Sequence, residues 1–386
     1  LLKVLYLVPN LADSAVARRI NMLRLGGASV DAVGFRRAGT TTPQLDVGAY
    51  LELGETFDAR FVQRFVAAIG ASATARRWTR RLRQPDVIIA RNLEMLSLAS
   101  RLQGAWPNKP SIVYECLDIH RLMLRNDAVG RAMRAAERHL GRKASLLLTS
   151  SPAFVDNYFK VYGAPPALIV ENKVVWGGVA RGSNPTLAGH QNSGPVKIGW
   201  FGALRCKRSL EALGQFSDEM NGAVEVVLRG KPALTEFADF HGSVAAKSHL
   251  RFEGAYRNPD DLPAIYSEVH LAWAIDFFEE GANSQWLLPN RIYEGTLNGA
   301  IPVVLAGTET AAFARRHGIG IVLPDIKAET LRTAIGGLTR EQIVKLANRV
   351  AGLDPAHFAV STGECQALVE RLAALGGRRV FQMEAA

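Results

Sequence analysis

Residues 286–304, WLLPNRIYEGTLNGAIPVV, decide how the rest of the chain is read. The stretch parses as a loop, a short helix, a tight turn and a buried strand. Pro289 ends what precedes it, and Asn290 is a residue type that caps an unpaired helix N–H. Asn298-Gly299 is the stop, because glycine takes the left-handed cap conformation without a Cβ penalty. Residues 301–305 then run apolar and β-branched, the pattern of a strand covered on both faces. So short a helix does not need Arg291, Tyr293 and Glu294 for packing. Near a helix N-terminus that follows a polar loop, they stand where unpaired N–H groups favour anions.

The same alternation runs outward in both directions. Upstream, residues 2–8 and 29–35 are strand-like, and 86–90, 111–116 and 146–149 are further short apolar runs, each followed by a helical pattern. Residues 15–25 are one such helix, stopped by Gly26-Gly27. After a second start at 196–201 come strands at 224–228, 271–275 and 320–323, a helix at 261–269, and closing helices at 340–353 and 363–375. Alternation of this kind means βαβ units and parallel sheets. Ligands of such sheets bind beyond the carboxyl ends of the strands. Between the two series, 182–195, GSNPTLAGHQNSGP, is polar, rich in turn formers and reads as a connector.

At 386 residues the chain has room for two domains, each with its own core. With 48% hydrophobic and 21% charged residues it has the composition of a globular protein, not a disordered one. No apolar run approaches the ~20 residues that span a bilayer. Residues 1–8 are interrupted by Lys3 and read as a first buried strand, not a signal peptide. Cys116, Cys206 and Cys365 are odd in number and far apart, which argues for a reducing compartment and against a disulfide framework or metal-ligand spacing. The net charge of +10 is uneven: residues 1–170 hold 24 Lys and Arg against 13 Asp and Glu, and the remainder is near neutral. The first half therefore faces something anionic, a membrane surface, a lipid diphosphate or nucleic acid. No stacking-aromatic or helix-turn-helix pattern accompanies the charge, so nucleic acid is not expected.

The segment 290–304 resembles the donor-site signature of GT-B glycosyltransferases of the bacterial exopolysaccharide kind, the succinoglycan and xanthan type of the glycosyl transferase group 1 superfamily. The resemblance implies an α/β fold of two Rossmann-like domains facing each other across a cleft. Residues 1–181 would be the acceptor- and membrane-facing domain and 182–195 the linker. Residues 196–360 would form the nucleotide-sugar-binding domain, and 361–386 a C-terminal helix crossing back onto the first. In that pattern Glu294 binds the donor ribose. Where many retaining members carry a second Glu, eight positions earlier, this chain has Trp286, and the nearest upstream acids are Glu279 and Glu280.

Further donor contacts are expected from strand ends. In 198–207, IGWFGALRCK, Gly202 lets the backbone approach a diphosphate, and Arg205 and Lys207 would neutralise it, with Arg208 an extra candidate. A solvated basic turn is the plain alternative. Arg229 ends another strand, and Tyr256 in 252–258, FEGAYRN, either lies against a uracil or guanine or is a surface tyrosine. Asn258 or Asp260 is expected to cap the next helix. Asp260-Asp261 reads as first-turn carboxylates rather than a metal pair. In 276–285, DFFEEGANSQ, Glu280, Asn283 and Ser284 face donor hydroxyls or form an acidic loop. Asn290, Arg291 and Tyr293 complete the donor set. The resembling enzymes need no bound metal and hold no permanent cofactor; the donor is a nucleoside-diphosphate sugar, a UDP-sugar favoured.

In the first half, 113–120, VYECLDIH, carries Glu115, Asp118 and His120 to the end of a buried strand. An inverting transferase needs a base for the acceptor hydroxyl proton. Asp118 is the first candidate, His120 the second and Glu115 the third; each could instead cap the following helix. Asp13, Arg18 and Arg19 follow the first strand, where a lipid-linked diphosphate is expected, or are ordinary solvated charges. Residues 57–83 offer Phe61, Phe65 and Trp78 beside a basic cluster that includes Arg80, a layout for a membrane interface or for one core-facing helix. The reading that results is hexose transfer from a UDP-sugar to a lipid-diphosphate-linked oligosaccharide, on the cytoplasmic face of the plasma membrane. The alternatives are a nucleotide-sugar epimerase of the same architecture and a non-catalytic sugar-binding protein. A dinucleotide oxidoreductase is disfavoured, because residues 7–15, LVPNLADSA, hold no G-x-G-x-x-G.

Overall fold

Apolar runs that must be covered on both faces become the interior strands of two parallel sheets in the computed structural model, which describes residues 1–38, 45–56, 67, 70–175 and 194–376. The first sheet is built from β1 (Leu2–Val8), β2 (Ala28–Arg37), β3 (Tyr50–Thr56), β4 (Val87–Arg91), β5 (Ser111–Cys116), β6 (Ala144–Thr149) and β7 (Ala167–Ile169). Its order is β3-β2-β1-β4-β5-β6-β7, every pair parallel. The chain winds outward from β1 through β2 and β3, returns, and continues from β4 on the other side. That reversal, between β1 and β4, is a switch point where side chains from two loops converge.

Helix α1 (Ser14–Leu25) starts where Asp13 accepts a hydrogen bond from the Ala15 N–H at 2.9 Å and stops at Gly26, with Gly27 at φ +87°. Helices α2 (Asn92–Leu102) and α3 (Ala128–Gly141) follow β4 and β5. Asp127 caps α3 through the Gly130 N–H.

The second sheet repeats the winding. After β8 (Val174–Val175) come β9 (Val196–Leu204), β10 (Val224–Pro232), β11 (Leu250–Phe252), β12 (Leu271–Trp273), β13 (Ile301–Leu305) and β14 (Ile321–Leu323). The order β11-β10-β9-β12-β13-β14 is again all parallel, with its switch point between β9 and β12. Helices α4 (Lys207–Glu219), α5 (Asn290–Leu297), α6 (Glu309–Arg316) and α7 (Arg340–Ala351) pack against it, around Trp200, Trp273, Phe216 and Phe313. The short strand β15 (Ala359–Val360) pairs with β8. Helix α8 (Thr362–Leu375), started by a Ser361/Glu364 capping box, then runs beside α1. A Cβ at Gly26 would stand 2.2 Å from the Cys365 carbonyl oxygen, so glycine is what lets the two helices meet there.

Two compact units result: Leu1–Glu171 with the chain from Val360 onward, and Asn172–Ala359. The boundary falls before the expected 182–195 connector, of which 182–193 lie outside the described residues. Phe61 and Phe65 lie outside them as well. Two edge strands of the first sheet had no counterpart in the sequence reading, nor had the short pair β8 and β15. β3 is polar and largely exposed, and β7 has three residues; both are sheet edges, where no two-sided apolar pattern is required. All three cysteines are free and buried. Among the described residues no helix is long and apolar enough to cross a membrane.

Candidate active site

The switch point of the second unit gathers the ends of β9, β10 and β12. β9 and β10 run side by side to Leu204 and Pro232, and Gly202 and Gly230 pair in register near that end. A Cβ at Gly230, at φ +126°, would fall 2.0 Å from the Gly202 carbonyl oxygen, so the close approach admits only glycine there. Gly202 itself is at φ +106° with the Tyr256 hydroxyl 3.8 Å from its Cβ position. Beyond β9, Arg205 crosses to the loop after β12. Its Nε and Nη2 donate to Asp276 Oδ2 at 3.1 and 3.0 Å. Cys206 Sγ accepts from the Phe277 N–H at 3.3 Å and helps hold the same loop.

Arg291, on the first turn of α5, shares that carboxylate at 3.9 Å. Its side chain is 8% exposed, and its Nη1 is buried with no hydrogen-bond partner. Two guanidinium groups thus stand on one buried aspartate, with a donor left over. A buried N–H of a cation without a partner is costly, and an anion supplied from outside would satisfy it. One turn further along α5, buried Glu294 accepts from Asn258 Nδ2 at 2.6 Å. Gly295 lets this helix sit on the sheet, since a Cβ there would stand 2.9 Å from that of Ala272.

Several expected donor contacts stand elsewhere. Tyr293 is fully buried, its ring edge-on to Phe313 at 5.4 Å, so it belongs to the core. Asn290 is the first helical residue, and Pro289 occupies the cap position with no side-chain bond. Asn258 does not cap a helix, because its amide reaches Glu294 instead. Glu280 pairs with Arg208, and Asn283 donates to Glu279. Arg229 Nη2 donates to Glu268 at 3.0 Å while its Nε is buried without a partner. Lys207 is exposed, with Glu211 3.6 Å away. Tyr256 is half-buried beside Phe201. The residue that the sequence reading passed over is Asp276. It begins a loop rich in more prominent acids, and only the fold shows that two arginines meet on it.

The switch point of the first unit is also charged. Arg91, the last residue of β4, donates from Nη1 to Asp13 Oδ2 at 3.3 Å, from Nη2 to the Ala15 carbonyl at 3.3 Å, and from Nε to Glu115 Oε2 at 2.8 Å. Arg19 Nε donates to Glu115 Oε1 at 2.7 Å, and the Tyr6 hydroxyl donates to Oε2. Burial opposes ionisation of Glu115, but Arg91 and Arg19 outweigh it and hold the carboxyl at about 2. Glu115 is therefore an inaccessible counter-ion and unsuited to act as a base. Arg19, equally buried, is its partner and not a surface contact. Asp118 is exposed and His120 half-buried on the turn after β5, where the His120 Nδ1 accepts from the Leu122 N–H at 3.3 Å. Asp13 caps α1, and Arg18 is half-buried on it. Trp78 is buried, its Nε1 bonded to the Ala71 carbonyl, so it offers no membrane-facing ring; Arg80 is exposed beside it. Among the described residues no group of three or more His, Cys, Asp or Glu side chains could hold a metal ion.

Twin parallel sheets of this winding define the GT-B glycosyltransferase architecture. Similar solved structures include sucrose-phosphate synthase from Thermosynechococcus elongatus, with TM-score 0.66 and 11% identity over 98% of both chains. Another is Anabaena HepE in complex with UDP and glucose, with TM-score 0.59 and 15% identity over 98% of both chains. Residues 7–172 match the glycosyl transferase 4-like domain. Over 380 residues the chain is 50% identical to the succinoglycan biosynthesis protein ExoL of Rhizobium meliloti (strain 1021), covering 97% of this chain and 94% of that one. The chain belongs to that family and is an exopolysaccharide glycosyltransferase. The epimerase and sugar-binding readings give way to this assignment.

Proposed function

We propose that the protein moves a hexose from a UDP-sugar to a lipid-diphosphate-linked oligosaccharide, working at the inner face of the plasma membrane. The observation that carries the donor half is the buried Arg291 Nη1, unpartnered beside Arg205 on Asp276. The second unit binds the donor, and the first receives the acceptor. Arg205 and Arg291 take the two phosphates, with Lys207 at the mouth. Gly202 admits the diphosphate to the backbone, and Glu294, oriented by Asn258, accepts from the ribose hydroxyls. Tyr256 borders the base, and the UDP and glucose held by HepE support the choice of nucleotide. As the glycosidic bond to the diphosphate breaks, charge grows on the leaving oxygen, and fixed guanidinium groups stabilise it without reorganising. In this reading that neutralisation needs no metal ion, so turnover persists in excess chelator. Asp118 takes the acceptor hydroxyl proton, with His120 the second candidate.

The test is thermal stability with UDP, GDP and NAD⁺ on wild type, Glu294→Ala and Arg291→Gln. A ligand that binds only the folded state raises the melting point. A rise with UDP that both variants lose supports the site. A rise with NAD⁺ alone, or a UDP rise that both variants keep, refutes it.

A further inference from the structure

We propose that the outer face of α3 in the first unit is the surface that lies against an anionic lipid bilayer; the proposal rests on the lipid-linked acceptor of the reading above. The inward face of this helix is Gly130, Glu137 and Gly141. Outward stand Arg131, Arg138 and Arg142, seven and four positions apart, which places them within an arc of about 40° on a helix of 3.6 residues per turn. His139 and Lys143 are exposed beside them. Between the cations the crest is made of small or apolar residues: Ala128, Val129, Ala132 and Ala135, with Val129 47% exposed.

The acids of this region do not offset the charge. Glu137 is buried, and its two oxygens accept from the Tyr114 and Tyr158 hydroxyls at 2.7 and 2.6 Å. Asp127 caps the helix and pairs with Arg125. Among the described residues no carboxylate pairs with Arg131, Arg138, Arg142 or Lys143. The face continues onto residues 160–163, because the Arg134 guanidinium lies 4.7 Å from the Tyr162 ring and the Arg138 methylenes lie 3.7 Å from the Cβ position of Gly163. That brings along Val161, 63% exposed, and Lys160, which pairs with Asp156.

Unpaired cations beside a low, apolar crest suit a layer of lipid phosphates: the side chains reach the headgroups while the helix lies along the interface. Nucleic acid fits less well, since the crest carries no aromatic side chain on which a base could stack. Segment 57–83, the membrane candidate of the sequence, keeps its described tryptophan inside.

The test is co-sedimentation of the full chain with vesicles of phosphatidylcholine and phosphatidylglycerol in equal parts. Wild type is compared with R131Q/R138Q/R142Q and with R77Q/R80Q/R81Q. All six positions are exposed, so both variants keep their melting point and their rise with UDP. The expected result is binding to the mixed vesicles, none to phosphatidylcholine alone, and about a hundredfold weaker partitioning for the α3 variant only. Three results overturn the proposal: wild type that stays in solution, an α3 variant that binds as wild type does, or equal loss in both variants. Tighter binding of RNA than of vesicles through these arginines does so too. Because the UDP response is read in solution, failure here leaves the donor site standing, and the reverse.

Discussion

Across the switch point of each sheet one arginine meets one aspartate, yet the two pairs sit in opposite electrostatic settings. In the first unit the loop after β1 brings Asp13 and β4 brings Arg91. Arg91 and Arg19 are matched by Glu115 and Asp13, and the guanidinium nitrogens of both have partners, down to Met22 Sδ and the Val170 carbonyl for Arg19. In the second unit the pair is reversed, with Arg205 after β9 and Asp276 after β12. A second arginine, Arg291, shares the aspartate, and a buried N–H is left over. The first cluster is balanced and closed. The second carries one net positive charge and, in the proposed function, is completed by an anion. The same winding thus yields a balanced ion network in one unit and an unbalanced one, proposed as the ligand site, in the other, and the difference lies in which charges the loops bring.

The sharpest way to break this comparison is Glu115→Gln. It leaves two buried guanidinium groups facing a neutral amide, and breaking a buried pair in this way costs about 3–5 kcal/mol. The sign with pH follows from the folded value of about 2, below the ordinary carboxyl value of 4.5. Such a group's stabilisation is fully present above the unfolded pKa and is lost as pH falls through the folded one. The difference between wild type and variant in urea unfolding should therefore be flat above about pH 5 and shrink towards pH 2. A cost below about 1 kcal/mol at pH 7 would mean that the network is not a closed one.

In the second unit the matching changes act on ligand more than on fold. Arg291→Gln removes the unpartnered donor, and UDP should bind about ten- to a hundredfold more weakly, as expected for loss of a charge-assisted hydrogen bond. Titration calorimetry reads this directly, and unchanged affinity would take Arg291 out of the site. Asp276→Asn has a two-sided effect. Without ligand the two arginines repel, costing about 2 kcal/mol. Inorganic phosphate should then stabilise the variant more than wild type, because the competing carboxylate is gone. A variant indifferent to phosphate would show that the cluster is structural, like its counterpart.

Much of this was legible in the chain, and the exceptions have physical reasons. β5 and β13 fall on the residues expected, because a strand covered on both faces is written as a continuous apolar run. β3 and β7 are not, since edge strands face solvent and carry no such pattern. Gly202 and the basic residues after it were readable from type and spacing, although the strand runs on through the glycine to Leu204 instead of turning there. The pairing of Arg205 with Asp276, 71 positions apart, was not. It depends on β9 and β12 being neighbours, which the winding decides and local sequence does not. Glu115 was misjudged for the same reason. A carboxylate at a strand end looks catalytic until the fold brings two arginines from α1 and β4 onto it.

A second buried glutamate in the first unit sharpens the comparison further, with a small effect of opposite sign. Glu137 on α3 is as hidden as Glu115 but meets only the hydroxyls of Tyr114 and Tyr158. Burial therefore raises its pKa, and the two hydroxyls offset this only in part. A raised folded value means that its contribution is fully present below the unfolded pKa and is lost as pH rises through the folded one. Glutamine at 137 keeps one acceptor and adds a donor to the tyrosines, with no charge to desolvate. Glu137→Gln should then be within about 1 kcal/mol of wild type at neutral pH and gain on it as pH rises, whereas Glu115→Gln stays equally worse. Urea melts of both variants at pH 4, 6 and 8 test the pair together. Parallel pH curves would mean that the arginines beside Glu115 do not set the two carboxyls apart.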